Sequence, residues 1–577
     1  MARTSPGAGP EPTRRSVLGW GLGLGAAGLT ALTGCSPAAE PARPTAGPTA
    51  PGPTTFRVGT PAGPVSLDPA VVSDAESHRV TRQLFEGLVG VDPDSGAPAP
   101  ALAESWKVSD DGLTYTFTLR DGVTFHDGTE LSGEVVVHNF ERWAGGEAPD
   151  GGTFAAFDTI FHHQHAAVPA VDENAEDPGA PSMGELTEAA LDRIPEPPQA
   201  ILDGASYYKS CTAPDRLTVV LELNAPLTGL VQALTVPGLA VAAPSSTAEA
   251  PVGTGPYRFA GLDEETTVLE RFPDHWRAED FADAVDRVEL RVLRDAPSRL
   301  RELSRGDIHG YDTVTVHEMR DLVRAGQQIV QRDPFSVLYL GMNQASGPLR
   351  SLDVRRAAAH ATQHSDAWEQ LFIAGTEQAR SFLPPSLGVE APDTYYGYDP
   401  TTAATLLESA GYDGELIPFL YPRDVSRGYL PLPELVYAEL SAQLTAAGFV
   451  LEPVPVRWED GYIDAVLSGE YAGFHLLGWT GSYRDPDHFL SSLFGLSNDQ
   501  FGYDSTALKT HLAAARSMPE GPERAAAYRA ISELLAQDLP AQPLSFPISA
   551  LAMSTPVVNY PSSPVLDEVY DRVRLDA

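Results

Sequence analysis

The sequence predicts a mixed α/β protein with more than one lobe, on the evidence of its length, one clear strand and one clear helix. The chain has 577 residues, more than a single hydrophobic core usually organises. Apolar and polar residues alternate over 114–119 between two Asp-Gly turns, as in a half-buried strand. A helix is predicted after Asp399, because this capping residue precedes Pro400 and the segment ends at Gly411.

The charge of the chain argues against a nucleic-acid partner. Lys and Arg number 39 against 78 Asp and Glu, so the formal net charge is −39. A surface this acidic repels phosphate, and no basic stripe with interleaved aromatic residues offsets it. The 42% hydrophobic and 20% charged residues fit a globular protein rather than a disordered one.

Residues 1–34 are predicted to be an export signal. Arg14 and Arg15 precede a short glycine- and leucine-rich stretch, which is typical of a twin-arginine signal and too short for a convincing membrane span. Residues 32–35, Leu-Thr-Gly-Cys, resemble a bacterial lipobox, so cleavage is expected before a lipidated Cys35. The alternative is an ordinary secretory signal with a chance cysteine.

Residues 35–55 are predicted to be a tether. Six prolines occur among alanine, threonine and glycine, a composition that favours extended conformations and cannot bury a core. A lipid at Cys35 and a folded body after residue 55 would hold the protein near a membrane while leaving it free to swivel.

The folded body shows further strands and one interruption. Alternation of the strand type recurs at 56–60, 217–223 and 288–292. Between Gly145 and about Pro198 the sequence is rich in Pro, Asp and Glu, which predicts a long surface insertion.

Several sequence blocks, taken together in order, resemble one family. The blocks are LDP (67–69), LFEGL (84–88), LAESW (102–106), DGLTYTF (111–117), GVTFHDG (122–128), GTGPY (253–257), RFPDHW (271–276), YLGMN (339–343), DVRR (353–356), YDP (398–400), AGY (410–412), GWTG (478–481) and DP (485–486). They resemble the peptide-type extracytoplasmic solute-binding proteins that serve ATP-binding-cassette importers.

This resemblance implies an α/β, two-lobed, hinged periplasmic-binding-protein fold of type II with an enlarged first lobe. Lobe I is then expected at 56–287, including the insertion at about 145–198, with a returning segment at 546–577. Lobe II is expected at 288–545. Such a receptor closes over a ligand and presents it to a membrane permease, and we expect it to act as a monomer.

The family's ligand-contacting segments map onto two regions of this chain. The loop after the first strand corresponds to Ser73, Asp74 and Ala75. In lobe II the corresponding residues are Trp458, Trp479, Thr480, Gly481, Ser482 and Tyr483. The resemblance implies that Trp479 stacks on or covers the ligand and that Gly481 lets backbone approach closely. The alternative is that Trp458 and Trp479 are ordinary core aromatics.

One position departs from the family's pattern. Peptide binders of this family commonly carry Asp where this chain has Ser482, and that carboxylate pairs with the α-amino group of the peptide. A hydroxyl cannot supply the charge, so Asp74 takes over this role or the ligand lacks a free ammonium. Asp485 also matches the motif, but in the family the corresponding residue more often shapes the turn.

No cofactor or metal is expected. His162, His163 and His165 form a cluster inside the insertion without an accompanying cysteine or carboxylate at ligand spacing. His126, in the His-Asp-Gly turn, is expected to hydrogen-bond locally. Cys211 has no partner once Cys35 is lipidated.

The preferred interpretation is therefore a non-enzymatic, lipid-anchored receptor for peptides or peptide-like solutes. The alternatives are a receptor of the same family for a metal chelate or a sugar, and a lipid-anchored hydrolase. The hydrolase is less favoured because neither a G-x-S-x-G elbow nor an H-E-x-x-H helix occurs. A signalling receptor descended from the same family is a further alternative.

Overall fold

The computed structural model describes residues 54–72, 74–146, 154–163, 185–263, 265–362, 366–495, 499–563 and 565–576. The predicted signal, Cys35 and nearly all of the predicted tether lie outside the described residues, as do Ser73 and His165. Within the described ranges, no helix combines the length and apolarity needed to cross a membrane.

Strands and helices are interspersed along the described chain. The strands are β1 (Thr55–Thr60), β2 (Val89–Val91), β3 (Pro98–Pro100), β4 (Ala103–Val108), β5 (Thr114–Leu119), β6 (Tyr208–Asp215), β7 (Thr218–Leu223), β8 (Tyr257–Leu262), β9 (Thr266–Arg271), β10 (Arg287–Val292), β11 (Gly310–Tyr311), β12 (Gln328–Arg332), β13 (Ser336–Met342), β14 (Glu377–Gln378), β15 (Leu416–Arg423), β16 (Val450–Arg457), β17 (Phe474–Thr480), β18 (Ala541–Phe546), β19 (Ser549–Met553), β20 (Val557–Val558) and β21 (Arg574–Leu575).

The α-helices complete the mixed composition that the sequence predicts. They are α1 (Ala75–Leu84), α2 (Gly133–Gly145), α3 (Ala155–Phe161), α4 (Glu185–Leu191), α5 (Gln199–Leu202), α6 (Leu230–Ala233), α7 (Ala296–Arg305), α8 (Val316–Arg324), α9 (Leu352–Ala361), α10 (Asp366–Glu369), α11 (Pro400–Ser409), α12 (Pro433–Ala447), α13 (Tyr462–Leu467), α14 (Pro486–Leu490), α15 (Thr506–Ser517) and α16 (Pro522–Asp538).

Local sequence signals locate several of these elements correctly. Tyr115, Phe117 and Leu119 alternate with threonines in β5 and are buried, which confirms the predicted half-buried strand. The side chain of Asp399 accepts hydrogen bonds from the backbone N–H groups of Thr401 and Thr402, so the predicted cap of α11 is also confirmed.

Three sheets organise most of these strands. The seven-stranded sheet has the order β12-β19-β11-β1-β10-β9-β8, and its central β1 runs parallel to β10 and β11. The six-stranded sheet has the order β14-β18-β13-β17-β15-β16, with β15 parallel to both β16 and β17. The four-stranded sheet, β4-β5-β7-β6, is antiparallel throughout.

The chain passes between the two larger sheets twice. In the first passage, β12 of the seven-stranded sheet ends at Arg332 and β13 of the six-stranded sheet begins at Ser336. The return lies between Phe546 and Ser549. The boundaries expected from the sequence, at 288 and 546, stay predictions; the structure gives the positions of the two passages between the sheets. The sequence did not reveal that β11 and β12 still pair within the first sheet.

The predicted insertion is not confined to the surface. It contains α3 and α4, and Phe157 and Phe161 of α3 are buried in the apolar core of the four-stranded sheet. For these residues the expectation of a surface segment is wrong, because the acidic composition of the insertion concealed short apolar helices within it.

A buried charge network lies beside the passages between the sheets. The Asp312 carboxylate accepts hydrogen bonds from Arg79 at 2.8 Å and from both terminal nitrogens of Arg332 at 2.9 Å. Arg332 also donates to Glu568, at 2.6 and 2.8 Å, and reaches the Ser549 hydroxyl at 3.4 Å. Both passages are thereby fixed to one guanidinium, since Arg332 precedes the first and Ser549 follows the second.

Burial alone would raise the pKa of Asp312, but the guanidiniums of Arg332 and Arg79 outweigh it and hold that pKa well below its usual range. Because the folded-state pKa is depressed, the carboxylate contributes its full stabilisation above the ordinary Asp pKa of about 3.9. This contribution is lost as the pH falls below that value.

We therefore expect Asp312→Asn to lower the free energy of unfolding by about 3 to 5 kcal/mol at pH 7, because it leaves two buried guanidiniums short of a counter-charge. The stability difference from the unmodified protein should shrink as the pH falls below about 4. Urea unfolding over this pH range measures both effects. Asp321→Asn is the matched control, since that carboxylate is 65% exposed and lies 3.9 Å from Arg324. Equal effects of the two substitutions would contradict a stabilising network.

Candidate functional site

The candidate site lies where the three parallel strands of the six-stranded sheet end. β15, β16 and β17 run in the same direction, so the residues that follow them meet at one edge, which we call the carboxyl edge. In open α/β sheets, ligands bind preferentially outside the carboxyl ends of parallel strands. The carboxyl edge includes Trp458, after β16, and the segment 479–483 at the end of β17.

Trp458 is half-buried and lies against two neighbours. Its ring stacks on Tyr462 with the ring centroids 5.8 Å apart, and the guanidinium of Arg427 lies 4.2 Å from its centroid. Arg427 follows β15, so the cation and the ring come from the segments that follow two adjacent strands. A guanidinium at this distance over an indole gains cation–π stabilisation while its N–H groups remain free to point elsewhere.

Arg427 also faces the other large sheet. It lines a small cavity together with Thr313, which follows β11, and Ser549, which begins β19. The carboxyl edge therefore approaches the seven-stranded sheet beside the passages between the two sheets. The Nε of Arg427 is buried and has no hydrogen-bond partner among the described residues.

Trp479 is half-buried at the end of β17, opposite Val337 of β13. Its ring meets His488 edge to face, with centroids 5.5 Å apart. The indole Nε1 is buried and finds no acceptor within the described ranges of the chain. Thr480 is held by a hydrogen bond of 2.9 Å between its hydroxyl and that of Ser336.

The space beside Gly481 that a side chain would occupy is filled by the protein itself. A Cβ at this position would lie 2.5 Å from the ring of Phe335 and 2.7 Å from that of Phe489. Glycine is required here because the two rings leave no room for a side chain.

Ser482 and Tyr483 are organised by His488. The Ser482 N–H donates to Nε2 of His488 at 2.9 Å, and the ring of Tyr483 stacks on that histidine at 4.1 Å. Burial lowers the pKa of His488 to about 3, so the imidazole remains a neutral acceptor at any physiological pH. The backbone of the segment is therefore fixed, while Ser482 itself is half-buried.

Asp485 shapes the turn that follows, as expected. Its carboxylate caps α14 by accepting the Asp487 N–H at 2.8 Å and is paired with Arg524 at 2.9 Å. Asp487 is paired in turn with Arg516 at 2.7 Å. Both carboxylates are buried and neutralised by arginine, so neither is available as a substitute for the charge absent at Ser482.

Asp74 and Ala75 lie at the start of α1, on elements that pack with the seven-stranded sheet. One carboxylate oxygen of Asp74 accepts the N–H groups of Glu76 and Ser77, at 3.1 and 2.9 Å, and thereby caps the helix. Among the described residues, no hydrogen bond or ring contact joins Asp74 or Ala75 to the carboxyl edge. The site residues predicted from the sequence thus fall into two separate groups.

Arg427 was missed by the sequence analysis. Its position after a strand was readable, but its contact with Trp458 joins residues in different loops and leaves no local pattern.

The remaining candidates have local partners. His163 is hydrogen-bonded through one ring nitrogen to the carbonyl of Ala144 and through the other to the Ser206 hydroxyl. His126 lies within hydrogen-bond distance of Gly253 and Gly255, which confirms the local role expected for it. Burial raises the pKa of the Cys211 thiol to about 12, so it stays protonated. Within the described ranges no cluster of ligating side chains could hold a metal ion.

The chain is similar to known proteins over most of its length. A family model described as bacterial extracellular solute-binding proteins, family 5, matches residues 97–501. The heme-binding protein A of Haemophilus influenzae is 26% identical over 545 residues, covering 90% of this chain and 92% of the relative. The dipeptide-binding protein of Escherichia coli K12 is 25% identical over 446 residues, covering 74% of this chain and 75% of the relative.

Solved structures show the same architecture. A periplasmic binding protein of Helicobacter pylori in complex with the peptide STSA superposes with a TM-score of 0.74 at 22% identity, covering 91% of this chain and 99% of that protein. The likeness confirms the α/β, two-lobed binding-protein fold that the resemblance implied.

Proposed function

Because the chain belongs to the bacterial extracellular solute-binding proteins of family 5, we propose that it is the substrate-binding receptor of an ATP-binding-cassette importer. It captures peptides or peptide-like solutes between two lobes and delivers them to a membrane permease. Relatives named for dipeptides and for di- and tripeptides support this ligand class.

The observation that carries the proposal is the set of unsatisfied donors at the carboxyl edge. The Nε of Arg427 and the Nε1 of Trp479 are both buried without a partner among the described residues. A buried donor without an acceptor costs about 1 to 3 kcal/mol, so such groups suggest a site completed by a ligand. The guanidinium suits a carboxylate or a peptide carbonyl, and the indoles of Trp458 and Trp479 suit apolar side chains.

The receptor mechanism follows from the two passages between the sheets. A ligand that contacts both lobes stabilises the closed arrangement by its difference in affinity for the closed and open states. Main-chain hydrogen bonds to an extended peptide give affinity without requiring one sequence. We propose that the ligand leaves chemically unchanged, so that turnover of peptide or ester substrates would favour the hydrolase alternative.

Ser482 gives the second candidate its support. With a hydroxyl where peptide binders of the family commonly carry a carboxylate, and with Asp485 already paired to Arg524, the site offers little to a free ammonium. A non-peptide ligand, or a peptide-like one with a blocked amine, fits this feature better than an ordinary peptide does.

We further propose that the receptor acts outside the cytoplasm as a monomer on a lipid anchor. Cys35 carries the lipid after removal of residues 1–34, and residues 35–55 tether the folded body to the outer face of the membrane. The basis is the sequence pattern of the twin arginines and the lipobox.

The proposal as a whole is tested by the molecules that the protein retains. We expect native mass spectrometry of the purified protein, followed by denaturation, to release a mixture of short peptides or peptide-like acids. Recovery of a single sugar or metal chelate would contradict the proposed ligand class but would remain consistent with a receptor. Accumulation over time of cleavage products of the bound compound would contradict the receptor role.

Arg427→Gln should weaken binding of ligands that carry a free carboxylate. The expected loss is about tenfold or more, since hydrogen bonds to charged groups contribute about 1.5 to 3 kcal/mol. Calorimetry with an Ala-Phe dipeptide and with its C-terminal amide separates the two cases, and only the free acid should be affected. Arg423→Gln, an exposed arginine of β15, is the matched control. An equal loss for acid and amide would mean that Arg427 does not contact the carboxylate.

Ser482→Asp should strengthen binding of peptides that have a free amine. A carboxylate here supplies the charge-assisted hydrogen bond that the hydroxyl lacks, so the expected gain is about tenfold. The same calorimetric titration with N-acetylated Ala-Phe should show no gain. Unchanged affinity for the free-amine peptide would place Ser482 outside the amine site.

A further inference from the structure

The predicted insertion crosses from one part of the molecule to another. At the core of the four-stranded sheet, the Tyr207 N–H donates to the carbonyl of Phe161, the last residue of α3, at 2.9 Å. The Ser206 hydroxyl donates to the same carbonyl at 2.9 Å. Phe161 and the pair Ser206 and Tyr207 therefore lie side by side at the core of the four-stranded sheet.

Described residues of the segment 185–207 are buried in two different cores. Leu191 and Ile194 are 3% and 9% exposed and belong to the apolar core of the six-stranded sheet, whereas Ile201 and Tyr207 belong to the core of the four-stranded sheet. Gln537 of α16 donates to the Thr187 hydroxyl at 2.7 Å. Residues 185–198, which we call the latch, thus join the four-stranded sheet to α16.

Other hydrogen bonds nearby also join the region of the four-stranded sheet to helices that pack with the six-stranded sheet. The Tyr207 hydroxyl donates to the carbonyl of Ala513 at 3.2 Å, and Arg516 donates to the carbonyl of Thr159 at 3.3 Å. The Thr228 hydroxyl donates to the carbonyl of Met518 at 2.6 Å. These hydrogen bonds all join the region of the four-stranded sheet to α15 and the residue after it.

We propose that the latch is a conformational device that holds the four-stranded sheet against α16 and must release before the four-stranded and six-stranded sheets can move apart to open the binding site. The four-stranded sheet is joined to the seven-stranded sheet where His126, after β5, donates its N–H to the carbonyl of Gly253, before β8, at 2.9 Å. A rotation about the passages at 332–336 and 546–549 that carries these two sheets together moves the four-stranded sheet away from the six-stranded one, and Leu191 and Ile194 must then leave the core of the six-stranded sheet. The inference rests on the proposed function, since opening serves ligand exchange. The device gives the closed arrangement a stabilising contribution that does not depend on the ligand.

The test measures opening without any ligand. Spin labels at Lys107→Cys on β4 and Thr445→Cys on α12 report the distance between the two sheets in the full-length chain, with Cys35→Ser and the buried Cys211 left in place. Both labelled positions are exposed. The latch variant combines Leu191→Ser with Ile194→Ser, and Glu188→Ser on the exposed side of α4 is the matched control.

We expect the latch variant to raise the ratio of long to short label distances about tenfold. A tenfold ratio corresponds to about 1.4 kcal/mol, well below the effect of truncating two buried aliphatic side chains. The control should keep the distribution of the parent. If the double variant does not fold, Thr187→Val should produce a smaller rise in the same direction.

An unchanged distribution would overturn the proposal, provided that hydrogen exchange at 185–198 has accelerated and thermal unfolding remains cooperative. It would mean that the four-stranded sheet moves as one body with α16. Addition of an Ala-Phe dipeptide tests the proposed function separately. If the dipeptide shifts the label distances in no variant, the result counts against the proposed ligand binding. The difference between the latch variant and its parent without ligand still tests the latch.

Discussion

The buried charges around Asp312 are the constraint on which the arrangement of the two large sheets depends. Arg332 ends the last strand before the first passage, and the same guanidinium reaches Asp312, Glu568 and Ser549. Two guanidiniums cannot be buried without opposite charge, so the chain must bring these carboxylates together whenever it folds. The chain is thereby fixed at Arg332 and Ser549, and any relative motion of the two sheets must take place in the passages between these residues and the six-stranded sheet.

The six-stranded sheet presents its carboxyl edge toward the seven-stranded sheet. The edge combines a rigid backbone with incompletely satisfied side chains. Phe335 and Phe489 cover Gly481, and the neutral His488 holds the Ser482 N–H, so the backbone of the segment has one defined position. The donors on Arg427 and Trp479 have no such partners among the described residues. Rigid support beneath unsatisfied donors is the arrangement expected of a pre-organised binding site.

The candidate site was predictable from the sequence only in part. The block GWTG followed by Asp485-Pro486 located the segment after β17, and Asp485 shapes the turn there as expected. For Gly481 the structure adds a reason that the sequence did not contain, since aromatic rings from two other segments leave no room for a side chain there. Arg427 was not identified at all, because its significance depends on Trp458 in another loop. Residue identities along one segment carry no information about which side chain of another segment will cover them.

By itself the sequence determined the mixed α/β class, the strand at Thr114–Leu119, the capped helix at Pro400–Ser409 and the family. The strand and the helix follow from alternation and capping, which depend on a few neighbouring residues. The family follows from the order of short sequence blocks along the chain. Only the tertiary structure decided that β11 and β12 remain in the first sheet and that the insertion inserts Leu191 and Ile194 into a distant core. Thr187 and Gln537 are 350 residues apart in sequence, and a contact of that range is set by the packing of whole sheets and helices rather than by any local pattern.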